Sequence, residues 1–494
     1  MAETYETLLA HTARSMALDE VAGLLAWDQE TVMPVDGGFQ REEHAAALEE
    51  ARHSRNTDPR IGEWLASLEG ATLSPEAARN VELIRRRYTR ATAVPADLSI
   101  AIARQTSAGQ RVWAEARRTD DFNLFAPALT RIVELKREEA QHRRLGTGPL
   151  YDALLDGYEP GMTTATLTPL FERLRGPLAD LRAEIAERGI ASAKLKGHFP
   201  EKAQLAFAHA LAEVFGYNLK AGRIDTAVHP FSSGSGRDVR ITTRVAEDDP
   251  AGNIFSTIHE MGHAVYEQNI ERSHNLQPIG AYASMGVHES QSRLFENQIG
   301  RSRAFAEYLY PAMREAFGDL CIDGPAALFA ALNHVETGFI RTEADEVHYN
   351  LHVILRYNLE QDVIEGRLDV ADLQDAWNQR FEQDFGRKVP SAAQGVLQDV
   401  HWSVGHFGYF PTYTLGNIYA GELFAAMQSA LPDLDAEVAR GDLTNALNWL
   451  HINIHRPGAS LPPEDLVSRV IGRAPTEAPL ISYLQAKFRG LYAT

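Results

Sequence analysis

Between Phe125 and Leu145, the apolar residues Leu129, Ile132, Val133 and Leu135 interleave at helical spacing with Arg131, Glu134, Lys136 and Arg137. The pattern predicts an amphipathic helix, with Pro127 in its first turn and Gly146 as its stop. The same period recurs over Leu178 to Arg188, Gln204 to Phe215, Ile354 to Ile364 and Ala436 to Trp449. Strand signals are sparse. The strongest is Asp238 to Val245, where Val239, Ile241 and Thr243 alternate with Arg240, Thr242 and Arg244. Ser232 to Gly236, just before it, reads as a glycine-serine loop. The repeated strand-helix alternation of a parallel α/β protein is missing. The chain therefore reads as mainly α, with one small β-sheet near its centre. No fixed-period repeat and no linker rich in Pro, Gly or Ser divides it, which favours one continuous body.

Composition narrows the function classes. The 494 residues are 44% apolar and 23% charged, enough for a large core and too apolar for a disordered chain. Sixty-seven acidic residues against 48 basic ones give a formal net charge of -19. That field repels nucleic acid and anionic membranes, and no run of Lys and Arg makes a basic face, so neither is expected as a partner. The one cysteine, Cys321, can make neither an internal disulfide nor a cysteine-rich zinc site. Met1 to Asp28 lacks the basic flank and apolar block of a signal peptide, and no apolar run is long enough to span a membrane. The expected location is the cytoplasm.

The segment Phe255 to Gln268 carries His259, Glu260 and His263 in an H-E-x-x-H pattern. On a helix, positions i and i+4 share a face, so both imidazoles can reach one ion. Zinc lowers the pKa of water, and Glu260 stands beside the first ligand as the base for its proton. Two satisfied core histidines would give the same spacing, so context matters. The flanks Ile254, Phe255, Ile258, Ala264 and Val265 suit a buried helix. A metzincin continuation is excluded, because Tyr266 stands where its glycine belongs and Asn269 where its third histidine belongs. A glutamate from a later helix is the other route to a third ligand. Glu289 fits that route, with His288 as its rival and Glu296 as the other carboxylate within reach.

Taken together, the motifs resemble one family, the carboxypeptidase Taq type of metallocarboxypeptidase. They are His229-Pro230-Phe231, Asp238-Val239-Arg240-Ile241-Thr242, the histidine helix and His288-Glu289-Ser290-Gln291. Further along come Ile340-Arg341-Thr342-Glu343-Ala344-Asp345 and Gly395-Val396-Leu397-Gln398-Asp399-Val400-His401-Trp402. Leu25-Ala26-Trp27-Asp28 with Thr31, Met33 and Pro34 resembles the family's N-terminal signature. The resemblance implies a large helical body divided by a deep active-site cleft, similar to neurolysin and angiotensin-converting enzyme. It implies one metallocarboxypeptidase domain over residues 1–494, with roughly residues 1–120 as a candidate lid. It also implies a homodimer, one divalent metal per chain (zinc, with cobalt as a substitute), and release of single C-terminal amino acids with broad preference. His259, His263 and Glu289 are the implied metal ligands.

A carboxypeptidase must receive a terminal carboxylate, and in an acidic protein that calls for a local arginine fork. Arg341 and Arg240 lie inside motifs, and the family pattern points to Arg341 as the anchor. Arg240 either lines the cleft or pairs with Asp238. Donors to the oxyanion are sought in His401 and in Tyr409 and Tyr413 of the loop Gly405 to Gly416. His229, held extended by Pro230, is a candidate for orienting substrate. Asp399 is expected to accept from the His401 ring, and His288, Arg293 and Asn297 are candidate neighbours of the ligands. Two alternatives stand beside this reading: an endo-acting or dipeptidyl oligopeptidase in the same cleft, and a non-catalytic helical scaffold.

Overall fold

The computed structural model describes residues 1–144, 146–188 and 194–492. The chain forms two compact units, each assembled from three separated stretches. The first unit is Met1–Thr92, Ser192–Asn333 and Tyr419–Pro475. The second is Ala93–Ala191, His334–Ile418 and Thr476–Thr494. No described helix is long and apolar enough to cross a membrane.

In the first unit, the helices Ala2–Thr31, Pro59–Ser67 and Pro75–Ala93 share a core of Leu8, Ile61, Leu65, Leu68, Val81 and Ile84. The unit also holds the small sheet: β1 (Ile224–Thr226), β2 (Ser232–Ser235) and β3 (Asp238–Thr243), in the order β1-β3-β2. The central β3 runs parallel to β1 and antiparallel to β2. Here the sequence reading needs correction. The glycine-serine segment is an edge strand rather than a loop, pairing from Ser232 against Ile241 to Ser235 against Asp238. Backbone pairing and the Ser233 and Ser235 hydroxyls, which donate to Gly23 O and Glu20, hold this strand, so it carries no apolar alternation.

The sheet positions the histidine helix, Pro250–Asn269. Asp249 caps it by accepting from the backbone N–H groups of Ala251 and Gly252, and Pro250 occupies the first turn. Thr243 at the end of β3 ties the helix down. Asn253 Nδ2 donates to Thr243 Oγ1 at 2.8 Å, and Thr257 Oγ1 does so at 2.8 Å. Ile254, Phe255, Ile258, Met261, Ala264 and Val265 are buried, so the helix is fixed on nearly every side.

The second unit is organised around the helix Glu346–Ile364, whose Leu351, Val353, Leu355, Tyr357, Leu359 and Ile364 are buried. Phe122–Arg143, Thr164–Arg188 and Leu373–Phe385 pack around it. The helix predicted from Phe125 starts earlier than expected. Asp121 accepts from the Asn123 N–H and caps it, which leaves Pro127 inside the helix instead of in its first turn. Phe122 and Phe125 are buried in that extra turn, which holds it despite the missing proline donor. Leu145 lies outside the described residues. In the first unit, the segment Ala436 to Trp449 is two helices, Leu434–Val438 and Thr444–Leu450. Asp442 Oδ1 accepts from the Thr444 N–H and opens the second one.

One crossing in the first unit has no slack. A Cβ on Gly262 would lie 2.5 Å from Gln291 O and 2.5 Å from Ser292 Cα of the helix Met285–Arg293. Neither backbone can yield cheaply. Gly262→Ala is expected to lower unfolding free energy by about 1–3 kcal/mol as an overpacking change. Gly490→Ala, in a helix with open space around it, should instead raise it, by up to about 1 kcal/mol. Urea denaturation of both variants checks this, and equal stability would show that the crossing has room to spare.

Candidate metal centre

Because Gly262 permits that crossing, His259 and His263 meet Glu289 across it. One donor atom from each of these three lies within 4.8 Å of the others. His259 Nε2 is 3.7 Å and His263 Nε2 is 3.4 Å from Glu289 Oε2. Two imidazole nitrogens and one carboxylate oxygen aimed at a common point are the donor set of a catalytic divalent metal, with a position left for water. The residues therefore fit such an ion.

The surroundings hold these donors in place. Glu296 sits behind His259, its Oε2 2.9 Å from Nδ1, which reserves Nε2 for the converging side. Arg293 lies between the two glutamates, donating through Nε to Glu289 Oε1 at 2.7 Å and through Nη1 to Glu296 Oε2 at 3.2 Å. Ser292 Oγ donates to Glu289 Oε2 at 3.0 Å. Burial would raise the Glu289 carboxyl, but Arg293, His259 and His263 together hold it well below the usual carboxylate range. Glu296 is half-buried, and although desolvation would raise its carboxyl, its His259 hydrogen bond and Arg293 pull it down to about 2. The His259 ring is pushed up despite burial, because Glu289 and Glu296 favour its charged form. His263 is pushed down to about 3, by burial first and the neighbouring His288 second.

Glu260, on the same helix, stands outside the converging set. It is buried, and burial raises its carboxyl to about 7. His288 is placed elsewhere: its ring stacks on His263 at 4.4 Å, and its Nε2 is 3.2 Å from Glu267 Oε1. Beyond Arg293 the chain continues as a π-helical turn, Leu294–Gly300, which carries Glu296 and Asn297. A second π-helical turn, His451–His455, brings His455 Nε2 to 2.9 Å from Gln291 Oε1. Also in this unit, Arg240 is already engaged. Its Nε and Nη2 reach Asp238 at 2.7 and 2.8 Å, and its guanidinium lies 4.3 Å from the Trp27 ring centroid. His229 is exposed, in the connection between β1 and β2.

The second unit contains the remaining predicted site residues. Arg341 is buried, donating through Nε and Nη2 to Asp399 Oδ1 at 3.1 and 2.8 Å and through Nη1 to the Tyr349 hydroxyl at 3.1 Å. Asp399 Oδ2 accepts from Arg356 Nε at 2.7 Å. Asp399 thus serves two arginines. It does not hold the His401 ring as expected, since Nδ1 is 3.9 Å away, beyond hydrogen-bond reach. His401 Nε2 instead lies 3.4 Å from the Tyr413 hydroxyl. Burial is the main reason the His401 ring is held down, to about 3. Tyr409 packs on the same ring, with centroids 5.4 Å apart.

Two residues here were missed from sequence, Arg356 and Glu360. Both are fully buried on the helix Glu346–Ile364. Glu360 accepts from the Tyr151 hydroxyl at 2.7 Å, Trp402 Nε1 at 2.8 Å and the Gly408 N–H at 3.0 Å. It anchors the loop that carries Tyr409. Gly408, at φ 84°, lets that loop touch the second unit's own backbone, because a Cβ there would be 2.7 Å from Leu155 N. The available signal was a pair of opposite charges, i and i+4, on a helix rich in apolar residues.

The sequence profile of the carboxypeptidase Taq (M32) metallopeptidase family matches residues 7–488. The thermostable carboxypeptidase 1 of Thermus thermophilus is 42% identical, with 99% of each chain covered. Among solved structures, the M32 carboxypeptidase from Deinococcus radiodurans R1 is 36% identical and superimposes with a TM-score of 0.96 over 100% of both chains. Metallocarboxypeptidase 1 of Trypanosoma cruzi is 33% identical, with a TM-score of 0.97 over 99% of this chain and 100% of its own. A histidine helix joined to a glutamate helix, and relatives of full length on both sides, lead to one conclusion: the chain belongs to the carboxypeptidase Taq family and is a metallocarboxypeptidase.

Proposed function

We propose that the chain binds zinc through His259, His263 and Glu289 and releases single amino acids from the free C-termini of peptides, with broad preference. The observation that carries this reading is the convergence of those three donors within 4.8 Å, with a buried Glu260 beside them and outside the set. The nitrogen and carboxylate donors suit zinc, and cobalt is the compatible substitute. When bound, the metal supplies Lewis acidity, which acidifies water and polarises the scissile carbonyl. Glu260 takes a proton from the attacking water and delivers it to the leaving nitrogen, so that one water is consumed per peptide bond. His401 and Tyr409 are the proposed donors to the developing oxyanion.

Arg341 is the proposed receiver of the substrate carboxylate, with Tyr413 beside it. Its Nε and Nη2 are bonded to Asp399, but that bond does not neutralise the cluster. Two guanidinium groups, Arg341 and Arg356, share that single carboxylate, so the cluster keeps one positive charge in a buried setting. A second carboxylate would balance it. Arg240 and His229 are weaker candidates for substrate contact, since Arg240 is matched one-to-one by Asp238, with no second arginine sharing that carboxylate, and His229 is exposed. The endo-acting and scaffold alternatives are not favoured, because the full-length relatives are carboxypeptidases. We also propose a homodimer working in the cytoplasm, a compartment that suits a chain whose one cysteine is exposed and unpaired.

Three tests follow from these roles. Glu260→Gln should keep metal at wild-type stoichiometry while turnover falls by roughly two to four orders of magnitude; elemental analysis beside peptide assays reads both, and joint loss would make Glu260 a ligand. Glu289→Ala should strip the metal and His288→Ala should leave most of it bound, and the reverse pattern would exchange their roles. Arg341→Ala should cost about 2–5 kcal/mol in kcat/KM on unblocked peptides, and the wild-type enzyme should ignore C-amidated peptides. Efficient trimming of amidated peptides would remove Arg341 from substrate recognition.

A further inference from the structure

The second unit contains a cavity of about 350 Å³ that none of the roles above uses. It is walled by the last turns of the helix Thr164–Arg188, by the segment 334–337 and by Tyr492. Two arginines line it, Arg182 and Arg387. In a chain with 67 acidic residues, neither has a carboxylate as an ion-pair partner among the described residues; Arg182 is half-buried, while Arg387 is exposed with its guanidinium 4.6 Å from the Phe339 ring centroid. Each makes one hydrogen bond to a backbone carbonyl, Arg182 Nη1 to Phe385 O at 3.0 Å and Arg387 Nη1 to Thr337 O at 2.5 Å. Asp384 acts on Arg182 only from a distance and is itself held by Arg175 Nε at 2.8 Å.

The cavity's other polar groups do not supply the missing anion. Asp345 lies outside the lining and spends its oxygens on the N–H groups of Val347, His348 and Glu336 and on the His348 ring. His348 faces the cavity's Thr337 hydroxyl through Nε2 at 3.0 Å. Glu336 is the one carboxylate in the lining, and it is exposed. Meanwhile Arg182 Nε and His334 Nδ1 are buried with no hydrogen-bond partner. Arg182 Nε is thus a buried donor with no acceptor, which is costly, while His334 Nδ1 can donate or accept according to its tautomer.

We propose that this cavity is a binding site for a small oxyanion, a carboxylate or phosphate group, received by the guanidinium forks of Arg182 and Arg387. Planar forks match both kinds of oxyanion, and the volume suits a metabolite-sized ligand. The lining shares no residue with the metal ligands or with the Arg341 cluster, although His348 adjoins Tyr349 of that cluster, and the proposal does not depend on how those residues act.

Calorimetric titration of the full chain with inorganic phosphate and, separately, with acetate tests it. Saturable binding of one equivalent per chain is expected for at least one probe, and the probe that binds identifies the class. Arg182→Gln and Arg387→Gln should each weaken that binding by about tenfold or more. Arg131→Gln, which alters an exposed arginine paired with Glu134 in the same unit, should leave it unchanged. Arg387 is exposed, so its variant keeps the test decisive if Arg182→Gln folds poorly. No saturable binding of either probe would overturn the proposal. So would binding that survives both substitutions, or that is lost in Arg341→Ala alone.

Discussion

The contact between Gly262 and the backbone at Gln291–Ser292 decides whether this protein has a metal centre at all. Two histidines on one helix supply only two donors. The third comes from a separate helix, and its carboxylate reaches them because the two backbones approach with no side chain between them. The constraint propagates outward. The histidine helix must be fixed from below, and Thr243 on β3 does this through Asn253 and Thr257. The glutamate helix must be fixed from beyond, and His455 on a π-helical turn holds Gln291. Ligand geometry is thus set by packing and hydrogen bonds before any ion arrives, which is how a site avoids reorganising on binding.

The second requirement is electrostatic. Around the donors, Glu289 is buried and Glu296 half-buried, and Arg293 bridges them. In the second unit, Asp399 lies between Arg341 and Arg356, and Glu360 collects three donors. Each arrangement places ionisable groups where an unpaired charge would be costly, and each satisfies them with fixed partners. They differ in residual charge. The Asp399 cluster keeps a positive charge in an acidic protein, a setting suited to receiving an anion.

Much of this was legible before the structure. H-E-x-x-H declares its own geometry because helical spacing is rigid, and the motif order identified the family. The helical class followed from periodicity, and so did the position of β3. What escaped notice had weak local signals. The strand β2 has side chains too small to alternate, whereas the break near Asp442 did carry a local signal, Gly441 at φ 73° just before the aspartate, which the helical period on either side outweighed. The pairing of Arg240 with Asp238 was one of two options that sequence left open. Asp399 was assigned to His401 by proximity in sequence, whereas the distant Arg341 and Arg356 bind it more closely. Partners chosen by tertiary packing leave no trace in local spacing.

The central claim is that His259, His263 and Glu289 together hold one catalytic zinc. Anomalous diffraction at the zinc edge, from crystals of the purified protein, tests it most directly. The account predicts a single strong peak per chain, about 2.0–2.2 Å from the Nε2 atoms of both histidines and from a Glu289 oxygen. A peak ligated by His288 or Glu296 in place of Glu289, or a zinc-loaded protein with no peak between these residues, would contradict it.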